Sequence, residues 1–143
     1  METFLAEPDL GEEVFGPASV LVRYGKFEEA LAIACTMEGN LTATIQMAAG
    51  DEGDAVRLVA ALETRVGRIL FQGCPTGVEV CQAMVHGGPY PATSDARTTS
   101  VGGRAILRFA RPVCYQDTPE GLLPEELRNE AEGLRRLVDG KYT

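Results

Sequence analysis

The chain has 143 residues, of which 45% are hydrophobic and 24% are charged, a balance typical of one globular domain. Its formal net charge of −8 disfavours nucleic acid as a partner, because the phosphates would be repelled. No apolar run is long enough to span a membrane, and the acidic N-terminus is unlike a secretory signal, so we expect a cytoplasmic protein with reduced thiols.

The first part of the chain predicts a strand, a helix and a second strand. The apolar run at 20–22 is continuous, which is typical of a strand buried on both faces. Apolar residues at helical spacing predict a helix over 27–37, with Gly39 as its candidate C-cap. The stretch 41–47 is rich in β-branched residues and predicts the second strand.

A second helix and a third strand follow. Asp51 or Asp54 is the candidate cap of this helix, and Gly67 is where we expect it to end. Its predicted apolar side consists of Ala55, Val56, Leu58, Val59, Leu62 and Val66. The run 69–71 predicts the third strand. The order β-α-β-α-β predicts right-handed crossovers, a mostly parallel sheet and therefore an α/β fold.

The second half of the sequence is less regular. Gly, Pro, Ser and Thr are dense from 73 to 103, so we expect a long irregular segment that is either a functional loop or the site of a missing partner. A short helix is predicted at 104–109, and an edge strand at Arg111–Gln116, where Pro112 is tolerated. A polar helix is predicted over 124–138, with Pro124 near its start.

One short segment carries candidate binding residues, namely Glu12-Glu13-Val14-Phe15-Gly16-Pro17. A carboxylate accepts two hydrogen bonds from a vicinal diol and therefore suits a ribose. An aromatic residue two positions later lies on the same side of an extended chain and could flank a flat nicotinamide. The alternative is a solvated acidic loop with one buried Phe. The chain has no glycine-rich dinucleotide fingerprint of its own.

The cysteines predict no metal site. The four thiols never form Cys-x-x-Cys, and the single histidine, His86, is not spaced as a zinc partner for them. We interpret each thiol as a small buried hydrophobe. They are Cys35, Cys74, Cys81 and Cys114.

Taken together, these segments resemble the aldehyde dehydrogenase superfamily, and most closely the C-terminal region of bacterial α-ketoglutaric semialdehyde (2,5-dioxovalerate) dehydrogenases. Residues 12–17 match the superfamily's Glu-Glu-Ile/Val-Phe-Gly-Pro motif, and the resemblance is strongest over 66–117 and weak after about residue 125. Two features depart from many relatives. Gln72 replaces an Asn, and Pro89-Tyr90-Pro91-Ala92 replaces a Lys-x-Ser-Gly run.

The resemblance implies roles for particular residues. Glu13 holds the ribose next to the nicotinamide of NAD or NADP, and Phe15 packs near the nicotinamide ring. Val85 and His86 form part of the lip of the tunnel that admits the aldehyde substrate. A histidine there could pair with the distal carboxylate of a semialdehyde acid, or it could be a loop histidine bonded to backbone. Arg111–Gln116 corresponds to a strand that pairs with a neighbouring protomer in a homo-oligomer.

The resemblance also implies what the chain lacks. The family's nucleophile lies in a Gly-Gln-x-Cys setting and its base in a Glu-Leu-Gly-Gly setting, and neither occurs here. All four cysteines follow the Glu12–Pro17 motif, so none can take that role. We therefore predict no catalytic residue in this chain.

The sequence leads to two hypotheses about function. In the first, the chain is the C-terminal portion of an NAD(P)-dependent aldehyde dehydrogenase acting on a semialdehyde acid, and it is inactive alone. Residues 1–103 then belong to the catalytic domain, and residues 104–143 form the oligomerisation strand and a helical tail. The alternative is a stand-alone, non-catalytic oligomerisation or interaction module derived from such an enzyme.

Overall fold

A computed structural model describes residues 1–143, which form two compact units, Met1–Ala110 and Arg111–Thr143. The first unit contains three α-helices and two strands. They are α1 (Glu2–Ala6), α2 (Phe27–Thr36), β1 (Asn40–Ile45), α3 (Glu52–Leu62) and β2 (Val66–Phe71). Two 3₁₀ helices, Pro8–Gly11 and Gly103–Phe109, complete it. No helix of the chain has the length and apolarity needed to cross a membrane.

The centre of the first unit is a parallel pair of strands. β1 and β2 pair from Asn40 opposite Val66 to Ile45 opposite Phe71, and α3 forms the crossover between them. The core packs residues of both strands and both longer helices and consists of Ala34, Ile45, Leu62 and Val66. The predicted α/β class is confirmed, and so is the order helix, strand, helix, strand from α2 to β2.

The start of helix α2 is capped by the side chain of Glu29, a residue of its own first turn. The Glu29 carboxylate accepts hydrogen bonds from the backbone N–H of Gly25 at 2.7 Å and of Lys26 at 3.3 Å. The helix ends at Thr36, whose hydroxyl donates to the Ile33 carbonyl at 2.9 Å. The predicted helix is confirmed, whereas the predicted C-cap at Gly39 is wrong, because Met37 already has extended backbone.

The predicted strand at 20–22 is wrong. The run has no regular structure, and Leu21 is 85% exposed. A strand needs a neighbour for its backbone groups and a covering layer for its side chains, and this chain offers the run neither. The sheet therefore has two strands rather than three.

The limits of α3 also differ from the prediction. The helix ends at Leu62, and Val66 is the first residue of β2. Val56 is 69% exposed, so it lies on the outer face of the helix and not on its apolar side. Asp51 occupies the N-cap position, yet its carboxylate accepts a hydrogen bond from the preceding Ala48 N–H at 2.9 Å.

The second unit contains little regular structure. Two 3₁₀ turns, Glu120–Leu122 and Glu125–Leu127, precede a short antiparallel hairpin of β3 (Leu137–Val138) and β4 (Lys141–Tyr142). The predicted helix over 124–138 is therefore wrong. A polar segment of this length is marginal as a helix without a packed face.

Local contacts favour the turns over that helix. The Arg136 guanidinium donates to the backbone carbonyls of Glu126, at 3.1 Å, and of Arg128. Gly133 has a φ of +76°, which no helix can contain. The predicted edge strand at Arg111–Gln116 pairs with no strand of this chain, and its Val113 and Tyr115 side chains are exposed.

Candidate functional site

The Glu12–Pro17 segment borders a groove of about 650 Å³ in the first unit. The groove lies between residues of the N-terminal helical turns and the start of the 20–22 run. Its lining includes Phe4, Leu10, Glu12, Glu13, Phe15 and Val20. Glu13 and Phe15 therefore lie on the same groove.

The side chains of this groove are open to ligands. Phe15 is 97% exposed, so the alternative interpretation of one buried Phe is wrong. Glu13 takes part in none of the ion pairs of the chain. A free carboxylate beside an uncovered aromatic ring fits a ribose carrying a flat nicotinamide, because the diol donates to the carboxylate and the ring stacks. Glu13 and Phe15 are thus the residues of this groove that could hold a ribose and a flat ring.

A second feature is the segment 86–90, which crosses the amino ends of both strands in backbone-to-backbone contact. A Cβ placed on Gly67 would lie 2.5 Å from the Gly87 carbonyl carbon and closer still to its oxygen. A Cβ on Gly88 would meet the Asn40 carbonyl oxygen, and one on Gly39 would lie 2.6 Å from the Pro89 carbonyl carbon. Only glycine permits these approaches.

The other side of this segment is held by hydroxyls. Thr99, 5% exposed, accepts a hydrogen bond from the His86 N–H at 2.8 Å and donates to the Val101 carbonyl at 2.7 Å. The Ser100 N–H and its hydroxyl each donate to the His86 carbonyl at 3.0 Å. The backbone N–H and carbonyl of His86 are therefore held by Thr99 and Ser100, and the residues that follow it, 87–89, pack against glycines next to or within the strands.

The ring of His86 is not tied in the same way. Its Nδ1 is buried and has no hydrogen-bond partner in the chain. His86 is thus a loop histidine whose backbone is hydrogen-bonded and whose Nδ1 is not. The imidazole keeps hydrogen-bonding capacity that no group of this chain satisfies.

His86 and Val85 lie on different cavities. His86 borders a polar cavity of about 290 Å³, whose lining is Leu41, His86, Ala92, Thr93, Ser94, Asp95, Thr98, Ser100 and Arg108. Val85 borders one of about 180 Å³, together with Arg97, Thr98, Arg104 and Leu107 among others. Neither cavity shares a residue with the groove of Glu13 and Phe15. The predicted binding residues thus lie on three cavities of the first unit, of which those of His86 and Val85 share Thr98.

Asp95, which lines the polar cavity, is paired with Arg97, which lines the cavity of Val85. The Arg97 side chain contacts both oxygens of Asp95 at 2.9 Å, and the Arg97 backbone N–H donates to the same carboxylate at 3.0 Å. These side-chain and backbone hydrogen bonds lower the pKa of Asp95 from 3.8 to about 2, and the nearby Arg108 charge contributes in the same direction. Asp95 is therefore ionised and already satisfied at neutral pH.

Sequence reasoning missed two residues that shape these places, Arg68 and Arg108. Arg68, on β2, donates to the carbonyls of Gly77 at 3.0 Å and Pro75 at 3.3 Å, and so holds the start of the irregular segment against the sheet. A single charge inside an otherwise apolar strand was the available signal. Arg108, at the end of the 3₁₀ helix, carried no such signal.

The thiols also differ from expectation. Cys81 is half-buried, but the other three thiols are exposed, so the interpretation of all four as buried hydrophobes is wrong. Their exposure follows from their positions on the outer face of α2 and on segments that no other element of this chain covers. The exposed ones are Cys35, Cys74 and Cys114.

Comparison with known proteins shows which enzymes the chain is similar to. No family model matches the chain. It is 55% identical over 141 residues to alpha-ketoglutaric semialdehyde dehydrogenase 2 of Azospirillum brasilense, an alignment that covers 98% of this chain and 27% of that protein. It is 49% identical over 137 residues to alpha-ketoglutaric semialdehyde dehydrogenase of Acinetobacter baylyi, covering 95% of this chain and 26% of that protein. The chain is therefore similar over nearly its whole length to part of these aldehyde dehydrogenases, and it spans about a quarter of the length of these relatives.

Proposed function

We propose that this chain is the C-terminal quarter of an NAD(P)-dependent aldehyde dehydrogenase that oxidises a semialdehyde acid, such as α-ketoglutaric semialdehyde, to the carboxylic acid. One observation carries the proposal. The two curated relatives bear this activity in their names, and their identity of 55% and 49% extends over nearly the whole chain. The position within the enzyme follows from the Glu12–Pro17 motif.

In this proposal the groove of Glu13 and Phe15 receives the nicotinamide end of the coenzyme. The Glu13 carboxylate accepts hydrogen bonds from the ribose hydroxyls, and the Phe15 ring covers a face of the nicotinamide. The bound coenzyme supplies the hydride acceptor. The open groove and the uncovered Phe15 ring support these roles.

Val85 and His86 serve the substrate. The proposal places both residues at the lip of the tunnel that admits the aldehyde, with the acidic end of the aldehyde toward His86. The rigid backbone of His86, fixed by Thr99 and Ser100, supports a positioning role, and its unpartnered Nδ1 supports contact with a polar group.

Further apolar side chains are exposed in this chain, and in the proposal a larger assembly covers them. Val20 and Leu21 in the first unit, and Val113 and Tyr115 in the second, are exposed in this chain. Uncovered apolar surface of this kind marks an interaction site. We propose that the rest of the enzyme covers the first pair, and that Arg111–Gln116 pairs with a neighbouring protomer of a homo-oligomer.

A stand-alone, non-catalytic module derived from such an enzyme is the second candidate, and the exposed apolar side chains of Leu21 and Val113 would then serve contact with another protein. Both candidates predict that the purified chain alone forms no reduced coenzyme from an aldehyde. They differ in whether the chain can complete an active enzyme.

The deciding experiment is a chimera in which this chain replaces the matching quarter of the Azospirillum brasilense relative. We expect the chimera to fold as an oligomer and to reduce NAD or NADP in the presence of α-ketoglutaric semialdehyde, because more than half of the matched residues are identical. A chimera that folds and binds coenzyme but turns over no semialdehyde acid would contradict the enzymatic proposal and favour the module.

A further inference from the structure

The polar cavity beside His86 contains an unpaired cation. Arg108 lines it and makes no ion pair in the chain, whose pairs involve Arg57 and Arg97 only. The one carboxylate in the lining, Asp95, is held by Arg97 through both oxygens. Arg97 occupies both oxygens of Asp95, and the exposed Arg108 only adds a longer-range attraction to the same carboxylate, so the Arg108 guanidinium keeps its hydrogen-bond donors free.

Hydrogen-bond donors surround this charge. Some hydroxyls of the lining are already committed, since Thr93 donates to the Gly88 carbonyl at 2.7 Å and Ser100 donates to the His86 carbonyl at 3.0 Å. The hydroxyls of Ser94 and Thr98 have no partner in the chain and line the same cavity. The free groups are thus a guanidinium, two hydroxyls and an imidazole, all of which can donate.

This set of groups selects an anion with planar oxygens. A guanidinium bonds a carboxylate through two parallel N–H groups, and hydroxyls supply the remaining donors. The volume of about 290 Å³ is at the small end for ligand cavities and suits an acid of a few carbons rather than a nucleotide.

We propose that this cavity binds the carboxylate of a small organic acid, with Arg108 as the principal contact and Ser94 and Thr98 as additional donors. The identity of the acid rests on the proposed function, under which it is the semialdehyde acid itself. Arg108 is then a specificity-determining residue that separates acidic aldehydes from neutral ones of the same length.

Equilibrium binding to the 143-residue chain tests the cavity without any catalysis. The chain has a single histidine, so the Hε1 proton of the His86 imidazole gives one assignable NMR signal. Glutarate, a five-carbon dicarboxylate, is titrated in parallel with neutral glutaramide and with inorganic phosphate. We expect glutarate alone to shift this signal in a saturable manner.

Two arginine variants locate the contact. Arg108→Gln should weaken glutarate binding by about 10-fold, since a charge-assisted hydrogen bond is lost. Arg104→Gln makes the same charge change on the same 3₁₀ helix but borders the other cavity, so binding should be retained. Circular dichroism confirms that each variant folds, and Thr98→Val tests the site through a neutral residue.

Equal effects of the two arginine variants, or phosphate binding as tight as glutarate binding, would overturn the carboxylate site. In the chimera, Arg108→Gln should raise KM for the semialdehyde acid and leave KM for an uncharged aldehyde unchanged. An active chimera without this difference refutes the inference while the proposed function stands. An inactive chimera beside intact glutarate binding refutes the proposed function and leaves the carboxylate site in place.

Discussion

Replacing Gly67 by alanine should detach the His86 segment from the sheet. The new Cβ would lie 2.5 Å from the Gly87 carbonyl carbon, whereas real Cβ atoms essentially never approach another atom within 3.0 Å. The obstacle is backbone rather than a flexible side chain, and Gly87 is itself held from the other side, where a Cβ on it would be 3.0 Å from the Thr98 carbonyl oxygen. The segment must therefore move as a whole.

The expected cost is that of overpacking a well-packed site, about 1–3 kcal/mol or more. Stability on the order of 5–15 kcal/mol is usual for a domain, so the loss is readily measured. Gly88→Ala should act in the same direction, because its Cβ would meet the Asn40 carbonyl oxygen on the neighbouring strand.

Gly53→Ala is the matched control. Gly53 lies in the first turns of α3, and a Cβ placed there meets nothing within 4 Å. Alanine in a helix is favoured over glycine by roughly 0.5–1 kcal/mol, so this variant should be slightly more stable. The same chemical change thus has opposite signs at the two positions.

Urea unfolding followed by circular dichroism gives the free energies, and the His86 imidazole NMR signal reports the local displacement. We expect Gly67→Ala to lower stability and move that signal, while Gly53→Ala does neither. Equal stability of Gly67→Ala and the parent chain, with an unmoved His86 signal, would refute the close packing of the segment on the sheet.

Three further predictions follow from the contacts of the chain. Arg68→Met keeps much of the side-chain volume but should free the carbonyls of Pro75 and Gly77. Amide hydrogen exchange should therefore accelerate between residues 75 and 84. Unchanged exchange would show that Arg68 does not hold this segment. The pKa of Asp95 is lowered from 3.8 to about 2, so its pairing with Arg97 should stabilise the fold above pH 4. This stabilisation should be lost as the pH falls toward 2. An Asp95 carboxyl carbon that titrates near 3.8 in NMR would contradict the prediction. Val113→Asp should lower the mass of the chimera in light scattering, whereas Val80→Asp, another exposed valine outside the 111–116 stretch, should not; equal masses for both would argue against the oligomerisation strand.

The elements that sequence patterns predicted well are those that pack within this chain. Helix 27–36 and the strands at 40–45 and 66–71 bury their apolar residues against one another, so their local patterns and their tertiary contacts agree. The run at 20–22 has the same local signal but no partner here. A hydrophobic pattern predicts that a segment seeks burial, and it does not tell whether the covering element lies in the same chain.

The glycines show a second limit of local reasoning. The sequence pattern predicts helix ends at Gly39 and Gly67, since glycine commonly follows a helix. Both are instead required by the backbone of segment 86–90, which lies far away along the sequence. Long-range contacts of this kind leave no local pattern, and the same is true of Arg108, whose place beside Asp95 depends on the path of the irregular segment.

The sequence predicts the groove of Glu13 and Phe15 better than it predicts the cavity of His86 and Arg108. Glu13 and Phe15 are two residues apart, so their common groove depends mainly on local backbone. The helix expected over 124–138 is absent because propensity alone does not stabilise a polar helix, and Arg136 instead donates to the backbone carbonyls of Glu126 and Arg128.

The KM for the coenzyme of the chimera carrying Glu13→Ala, measured beside Glu12→Ala, tests the central claim most directly. Both variants remove one carboxylate from the same groove, but only Glu13 is proposed to hold the ribose. We predict that Glu13→Ala raises this KM by about 10-fold, in line with the loss of hydrogen bonds to a charged group, and that Glu12→Ala leaves it unchanged. An unchanged KM in Glu13→Ala, or an equal rise in both variants, would contradict the assignment of this groove to the nicotinamide ribose.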